Sequence, residues 1–327
     1  MPVQKNPNFI VSALTGIALV AMVAAYFAPI WWVSLTAPNY PKDAFPDGIR
    51  IHFHFDGVYN GCKAAGAGTR MAGEIIQKDL SHEDERYNPI TDKSKNIDKG
   101  AEGLDCVHEM NTINHYVGMY PIATGSPVEL RLSKFIFGFF GVMLLGFMVA
   151  KRKQRLVILG AGFSAVAAWM VVDQVVLGHL NTFADYYHKE AASFFNQPEV
   201  LAVWVANLKF ATHLAMAGLI AAMIVVLLGV WKIRGFSLLL ALVPALLPFY
   251  FVIDYAGWLW FFGHNLHPWG AFTVKPFMPT VFGEGKVAQF STYSYPYWGY
   301  ALLLVVFVAL MLALLIRRKQ MREGGAE

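Results

Sequence analysis

Long apolar stretches alternate with polar ones along the chain, and their lengths lead to the first prediction. Six of them are on the order of 20 residues long, enough for a helix to cross the hydrocarbon core of a bilayer. They lie at about 9–32, 135–150, 156–177, 206–231, 236–262 and 298–316. The pattern predicts an all-α membrane bundle of six transmembrane helices, the fifth of them broken by Pro244 and Pro248. No cleavage site follows the first segment, so we expect an uncleaved helix with Trp31 and Trp32 as interface anchors.

Basic clusters follow the second, fourth and sixth apolar segments, at 151–155, 232–234 and 317–319. Lysine and arginine are enriched in cytoplasmic loops, so these clusters predict one common cytoplasmic side. Both termini are then cytoplasmic, and the three long connections lie outside, in the periplasm if the source is Gram-negative. The predicted localisation is a bacterial inner membrane, crossed several times by the chain.

Three parts follow from this topology. They are a transmembrane helix at 1–32, a periplasmic domain at 33–132, and a five-helix bundle at 133–327 with periplasmic loops at 178–205 and 263–297. Within the periplasmic domain, apolar and polar residues alternate strictly from Ile49 to Asp56, which is typical of a half-buried strand. A polar stretch with helical spacing follows at Asp105–Met119. We therefore expect an inserted α+β domain between the first two helices.

Composition narrows the classes of function. The chain is 56% hydrophobic and 15% charged, against about 25% charged in soluble domains. The net charge of +4 is concentrated at helix ends, so it indicates topology rather than a nucleic-acid partner. The sequence has no P-loop, no G-x-G-x-x-G after a strand, no G-x-S-x-G and no C-x-x-C, so it gives no support for ATP hydrolysis, dinucleotide binding or thiol redox catalysis.

The two cysteines, Cys62 and Cys106, both lie in the predicted periplasmic domain. Thiols outside the cytoplasm are commonly oxidised, so a disulfide between them is the first expectation. Paired thiolate metal ligands or two free thiols are the alternatives.

A candidate metal site lies in Asp105–Met119. On a helix, His108, Asn111, His115 and Met119 follow at steps of three or four residues and share a face. Imidazole suits copper and zinc, and thioether selects Cu(I), so this face predicts a copper site with asparagines orienting the rings. The alternative is a capped helix that packs under the rest of its domain without a metal.

Two further histidines could complete that site. His52 and His54 lie on the polar face of the predicted strand, together with Arg50 and Asp56. Two imidazoles on one strand face can bind a metal that the helix also reaches. The alternative is a pair of solvent-exposed histidines on a sheet surface.

Ionisable residues inside the apolar segments form another candidate site. Asp173, His213 and Asp254 are predicted at similar depth below the outer interface, where such groups are paired or functional. They could relay protons, hold a metal or neutralise one another structurally.

Histidines near the outer mouth of the bundle are candidates for heme ligation. They are His264 and His267, with His179 and His188 in the preceding loop. A pair such as His179 or His213 with His264 could ligate heme axially, but the absence of C-x-x-C-H excludes covalent c-type heme.

Several motifs resemble a family of multi-pass membrane proteins encoded in nitrous oxide reductase gene clusters, particularly the atypical type, and near other copper-enzyme genes. The matching positions are Pro29, Trp31, Ala37–Pro41, Asn111–Met119, Glu129-Leu130 and Gly285–Ser294. The resemblance implies a setting in copper-enzyme maturation and denitrification rather than a defined activity.

Three functions from different classes are compatible with these patterns. The first is a non-enzymatic inner-membrane accessory or assembly protein whose exported domain binds copper or docks on a periplasmic or membrane copper enzyme. The second is a membrane electron-transfer subunit with heme or quinol near His213, His264, Asp173 and Asp254. The third is a non-catalytic structural subunit of a larger membrane oxidase or monooxygenase complex.

Overall fold

A computed structural model describes residues 7–38, 40, 42, 45–62, 105–181, 198–271, 273–287 and 289–323 of the chain. The N-terminal part of the described chain contains α1 (Pro7–Phe27), β1 (Trp31–Thr36), β2 (Ile49–His54), β3 (Gly57–Asn60) and α2 (Cys106–Tyr116). The remaining elements are α3 (Pro127–Met148), α4 (Arg152–Val171), α5 (Pro198–Lys232), α6 (Leu239–Ala245), α7 (Leu247–His264), β4 (Gly283–Val287), β5 (Phe290–Pro296) and α8 (Trp298–Arg322). Short 3-10 turns precede α3 and α6, and α4 continues as a π-helical turn over Val172–Val176.

Five described helices are long and apolar enough to cross a membrane: α1, α3, α4, α5 and α8. The successive helices α6 and α7 pass the same test together but are bent by 54° at Leu246, so they make a sixth span only if the bent pair is one crossing. Pro244 lies inside α6 and Pro248 in the first turn of α7, as expected for a break where backbone donors are missing. Large apolar side chains such as Phe9, Phe210 and Ile253 are exposed on these helices, which is compatible with a multi-pass membrane protein.

The first helix is shorter than the sequence indicated. It ends at Phe27, and Trp31 and Trp32 begin β1. The expectation of two interface anchors is therefore wrong for Trp31, which is 3% exposed and donates its indole N–H to Ser294 Oγ over 2.9 Å. The cause is Pro29, because the residue before a proline is disfavoured in helical conformation.

The predicted strand is present as β2, and Ile49 and Ile51 are buried as expected. It belongs to a five-stranded antiparallel sheet of order β3-β2-β1-β5-β4. Val33 in the central strand lies opposite both Ile51 and Ser294. Two strands of the sheet thus come from the segment 263–297, for which the sequence predicted a loop of the bundle.

The predicted boundaries at 33–132 and 178–205 also change. The unit that contains the sheet is not a single insertion between the first two helices, because β4 and β5 complete it. Helix α3 begins at Pro127, inside the predicted periplasmic domain, and α5 begins at Pro198, inside a predicted loop.

We call the five strands and α2 together the cap. Helix α2 packs against β2 and β3, and its residues Cys106, Met110 and Ile113 share a core with Trp31 and Ile49. The predicted disulfide between Cys62 and Cys106 is present, with 6.0 Å between the Cα atoms. The segment 63–104 that it closes lies outside the described residues.

The cap is fixed to the bundle at the junction between α1 and α8. The N–H groups of Tyr297 and Gly299 donate to the carbonyl oxygens of Ile30 and Pro29, both over 2.9 Å. Helix α1 packs along α8, and α3 packs against α4 and α6. These contacts place the sheet beside the first turn of α3 and the middle of α7, where the candidate site lies.

Candidate functional site

The helix that carries the predicted copper ligands ends before Met119. The N–H of Met119 donates to the carbonyl of Asn114 over 2.9 Å, and that of Gly118 to the carbonyl of His115 over 2.8 Å. Gly118 has φ of 80°, so the chain leaves α2 through a left-handed glycine in a Schellman motif. Met119 is 2% exposed and packs in the core of the bundle. His115 and Met119 therefore do not share a helical face, and the prediction that they do is wrong.

The other groups of that predicted site have structural roles. Asp105 caps α2 by accepting from the N–H of His108 over 3.1 Å, and Asn111 Oδ1 accepts from the backbone N–H of Ala123 over 3.0 Å. Burial lowers the pKa of His115 below the usual value for histidine. Among the residues that the structure describes, no three His, Cys, Asp or Glu side chains form a group that could hold a metal. The geometry thus favours the alternative of a capped helix that packs under its domain.

The strand histidines are engaged by neighbouring groups. Arg50 Nε donates to His52 Nε2 over 3.1 Å, and the guanidinium lies 4.2 Å from the ring centroid of Trp32. This hydrogen bond uses the lone pair with which His52 would bind a metal. The positive charge of the adjacent guanidinium would also repel a metal cation. His54 Nδ1 lies 3.0 Å from the carbonyl oxygen of Phe27.

The three intramembrane residues predicted as one cluster lie in separate settings. Asp173 forms a salt bridge of 2.8 Å with Lys134 of α3 and contacts His179 Nδ1 at 3.1 Å. His213 is exposed, and its Nδ1 lies 2.8 Å from the carbonyl of Lys209 in its own helix. The expectation of an Asp–His–Asp cluster is therefore wrong, because each residue finds its partner on another element or on its own backbone.

The two described candidate heme ligands near the end of α7 each stack on a different tryptophan. His264 is exposed, lies with Nδ1 2.8 Å from the carbonyl of Trp260, and stacks on the Trp260 ring. His267 stacks on Trp269 with 3.4 Å between ring centroids. His188 lies outside the described residues.

The third residue of the predicted cluster, Asp254, forms the centre of a different site with Glu129. The two carboxyl groups are hydrogen-bonded to each other, and Trp258 Nε1 donates to Glu129 Oε2 over 2.9 Å. Glu129 lies in the first turn of α3, where the helix dipole favours a negative charge, and Asp254 lies in the middle of α7.

This pair lines a cleft between the cap and the bundle. The cleft contains about 910 Å³ of empty space, a figure that includes the space at its open mouth. Its walls are mostly apolar and aromatic, with a few polar groups added by His54, Ser126, Ser133 and the carboxyl pair.

Tyr250 lines the cleft and is 55% exposed, so we place the mouth of the cleft at this residue. Phe249 and Ile253 are exposed beside it on the same helix, so the mouth opens on an apolar surface. Convergent polar groups in a mostly apolar concave site are the usual features of a ligand-binding pocket.

Glu129 was not among the residues predicted from the sequence to be functional. It stood out only as part of the Glu-Leu motif before the second apolar helix. The signal that could have found it is a carboxylate within the first turn of an apolar span, because such residues are costly there unless paired or functional. It lies outside the apolar window 135–150 that defined the segment.

Comparison with known proteins gives no independent guide to this site. No family model, no curated protein sequence and no solved structure matches the chain. The family resemblance therefore stays an expectation, and function is argued from the geometry of the cleft.

Proposed function

We propose that the protein is a membrane-embedded binding protein that takes up an amphipathic molecule from the bilayer into the cleft at Glu129 and Asp254. The observation that carries this proposal is the hydrogen-bonded carboxyl pair inside an apolar, aromatic cleft. The ligand would enter at Tyr250, place its apolar part against the aromatic walls and present its polar head to the pair.

The chemistry of the pair defines the head group. A carboxylate accepts hydrogen bonds, and removal from water makes an unmet acceptor costly. Trp258 supplies one donor to Glu129, while Asp254 lines the cleft beside it. A ligand hydroxyl can donate to this pair, and hydrogen bonds to charged groups contribute about 1.5–3 kcal/mol each.

This proposal is nearest to the quinol-binding alternative raised from the sequence, with Asp254 retained and Glu129 added. The accessory role in copper-enzyme maturation is a separate proposal that rests on the resemblance. Metal analysis of the purified protein loaded with Cu(I) tests it. If His115 is a ligand, His115→Ala lowers the copper content; with Met119 in the core, we expect Met119→Ala to lower stability instead.

Calorimetric titration of the protein in lipid nanodiscs with decylubiquinol, under anaerobic conditions, tests the cleft. We expect saturable binding to the wild type and at least tenfold weaker binding to Asp254→Leu, because one charged hydrogen bond is lost. The change leaves Glu129 without its carboxyl partner, so a lower melting temperature is expected, and the titration is run at a temperature at which thermal unfolding shows both proteins folded.

The matched control is Glu199→Leu, which removes an exposed carboxylate from the first turn of α5, outside the cleft. Its affinity should equal that of the wild type. Equal affinities of Asp254→Leu and Glu199→Leu would overturn the proposal.

A further inference from the structure

A second cavity adjoins the carboxylate cleft beneath the cap. It contains about 660 Å³ of empty space, including its opening, and lies between α2, the sheet and the segment 277–280. Four residues line both cavities: Phe53, Ile122, Tyr255 and Leu259. The two cavities therefore adjoin at these side chains.

Asn114 supplies a polar group to the second cavity. Its side chain is 8% exposed, and its Nδ2 has no hydrogen-bond partner among the described residues. Buried polar groups are nearly always hydrogen-bonded, so an unpaired donor at a cavity wall indicates a missing acceptor. The backbone of Asn114 is held independently, since its carbonyl accepts from the N–H of Met119 at the end of α2.

We infer that the ligand has two polar groups on opposite sides of a flat apolar ring, one meeting the carboxyl pair and the other accepting a hydrogen bond from Asn114 Nδ2. Quinols belong to this chemical class, because each of their opposed hydroxyls can donate or accept. The shared walls include Phe53 and Tyr255, whose rings pack edge to face with 5.5 Å between their centroids and together present an aromatic surface to a head group. This inference rests on the proposed function and specifies its ligand.

A ligand with two polar groups also gives Asn114 Nδ2 an acceptor, whereas a ligand that binds only to the carboxyl pair does not. Glu129 and Asp254 require only one donor from the ligand. A monophenol would satisfy them as well as a quinol, while leaving Asn114 without an acceptor. The discrimination between these two ligands therefore depends on Asn114 and not on the carboxyl pair.

The test compares the affinities of decylubiquinol and of 4-decylphenol for the protein in nanodiscs, under anaerobic conditions. For the wild type we expect the quinol to bind about five- to tenfold more tightly, which is the effect of one neutral hydrogen bond. Asn114→Leu should remove most of this ratio by weakening quinol binding alone. Thr112→Val, a polar-to-apolar change on the same helix outside both cavities, should keep the ratio.

The outcomes separate the two proposals. If neither probe binds the wild type saturably, both the inference and the proposed function are overturned. If both probes bind and their binding depends on Asp254, but Asn114→Leu keeps the wild-type ratio of affinities, the inference alone is overturned. A thermal unfolding scan of Asn114→Leu should match the wild type, since its Nδ2 has no protein partner to lose.

Discussion

Reduction of the disulfide between Cys62 and Cys106 should loosen the cap while leaving the bundle folded. The bond joins the end of the sheet region to the first residue of α2. Reduction keeps both sulfur atoms in place, so it isolates the covalent link from the packing of the two side chains. Cys106 is fully buried in the core of the cap, and its replacement by alanine would also leave a cavity.

The size of the effect follows from the loop that the bond closes. The two cysteines are separated by 44 residues in sequence. Loop-closure entropy for that length corresponds to about 4 kcal/mol at 25 °C. Each 1.4 kcal/mol is a factor of ten, so local opening of α2 should become about a thousandfold more frequent at most. The other contacts of α2, among them the bond from Asn111 to Ala123, keep the helix in place most of the time.

Hydrogen exchange measured by mass spectrometry follows this opening directly. Amides of α2 should exchange at least tenfold faster after reduction, whereas amides of α8 should keep their rates. The double variant Cys62→Ala/Cys106→Ala should show the same pattern with a further loss from the missing packing. Unchanged exchange in α2 after complete reduction would refute the reasoning that the disulfide anchors this helix.

Three further predictions concern the cap. Gly118→Ala should lower the free energy of unfolding by more than about 1 kcal/mol, because φ is +80° and the new Cβ would meet the backbone carbonyl of His267. Gly16→Ala, where the new Cβ has nothing within 4 Å, should not, and thermal unfolding compares the two variants. Ser294→Ala should lower the free energy of unfolding by about 1–3 kcal/mol, because it removes the acceptor of the buried indole N–H of Trp31. The control is the same change at Ser291, a half-buried residue on the same strand. Because the pKa of His115 is lowered in the folded protein, the unfolded state binds a proton at this residue first as the pH falls. The stability of the cap should therefore decline as the pH falls through about 6.5 and level off below the pKa of the folded state. His115→Gln should reduce this pH dependence of the melting temperature.

Apolar length and alternation predicted much of the architecture. The spans could be found because a run of about 20 apolar residues matches the thickness of a hydrocarbon core and is uncommon in soluble domains. The break in the fifth segment was expected from Pro244 and Pro248, and it lies between them at Leu246. The strict alternation after Ile49 predicted β2 because its two faces differ in burial.

The sheet partners could not be predicted in the same way. Strand β1 begins with two tryptophans directly after an apolar helix, and that position is equally typical of an interfacial belt. Strand β5, about 250 residues later in the chain, pairs with β1, and β4 pairs with β5. Such pairing depends on the tertiary fold rather than on local pattern. A prediction made segment by segment therefore could not identify a cap that combines strands from two distant parts of the chain.

The candidate site shows the same difference between local and distant information. Helical spacing placed His115 and Met119 on one face, but Gly118 ends the helix between them, and a glycine near the last periodic residue is a known stop signal. Asp254 was found as an intramembrane acid, yet its partner is 125 residues away in sequence, in α3. Spacing along one helix cannot reveal a contact between two helices.

The most direct test of the central claim is photolabelling of the protein in intact membranes with an azido-ubiquinol, followed by peptide mapping. The cleft predicts saturable labelling that decylubiquinol competes away, concentrated on peptides of α3 near Glu129 and of α7 near Asp254 and Trp258. In Asp254→Leu the same peptides should lose most of their label, and in Glu199→Leu they should keep it. Label that does not saturate, or that spreads over the exposed faces of α1, α5 and α8 instead, would contradict the account.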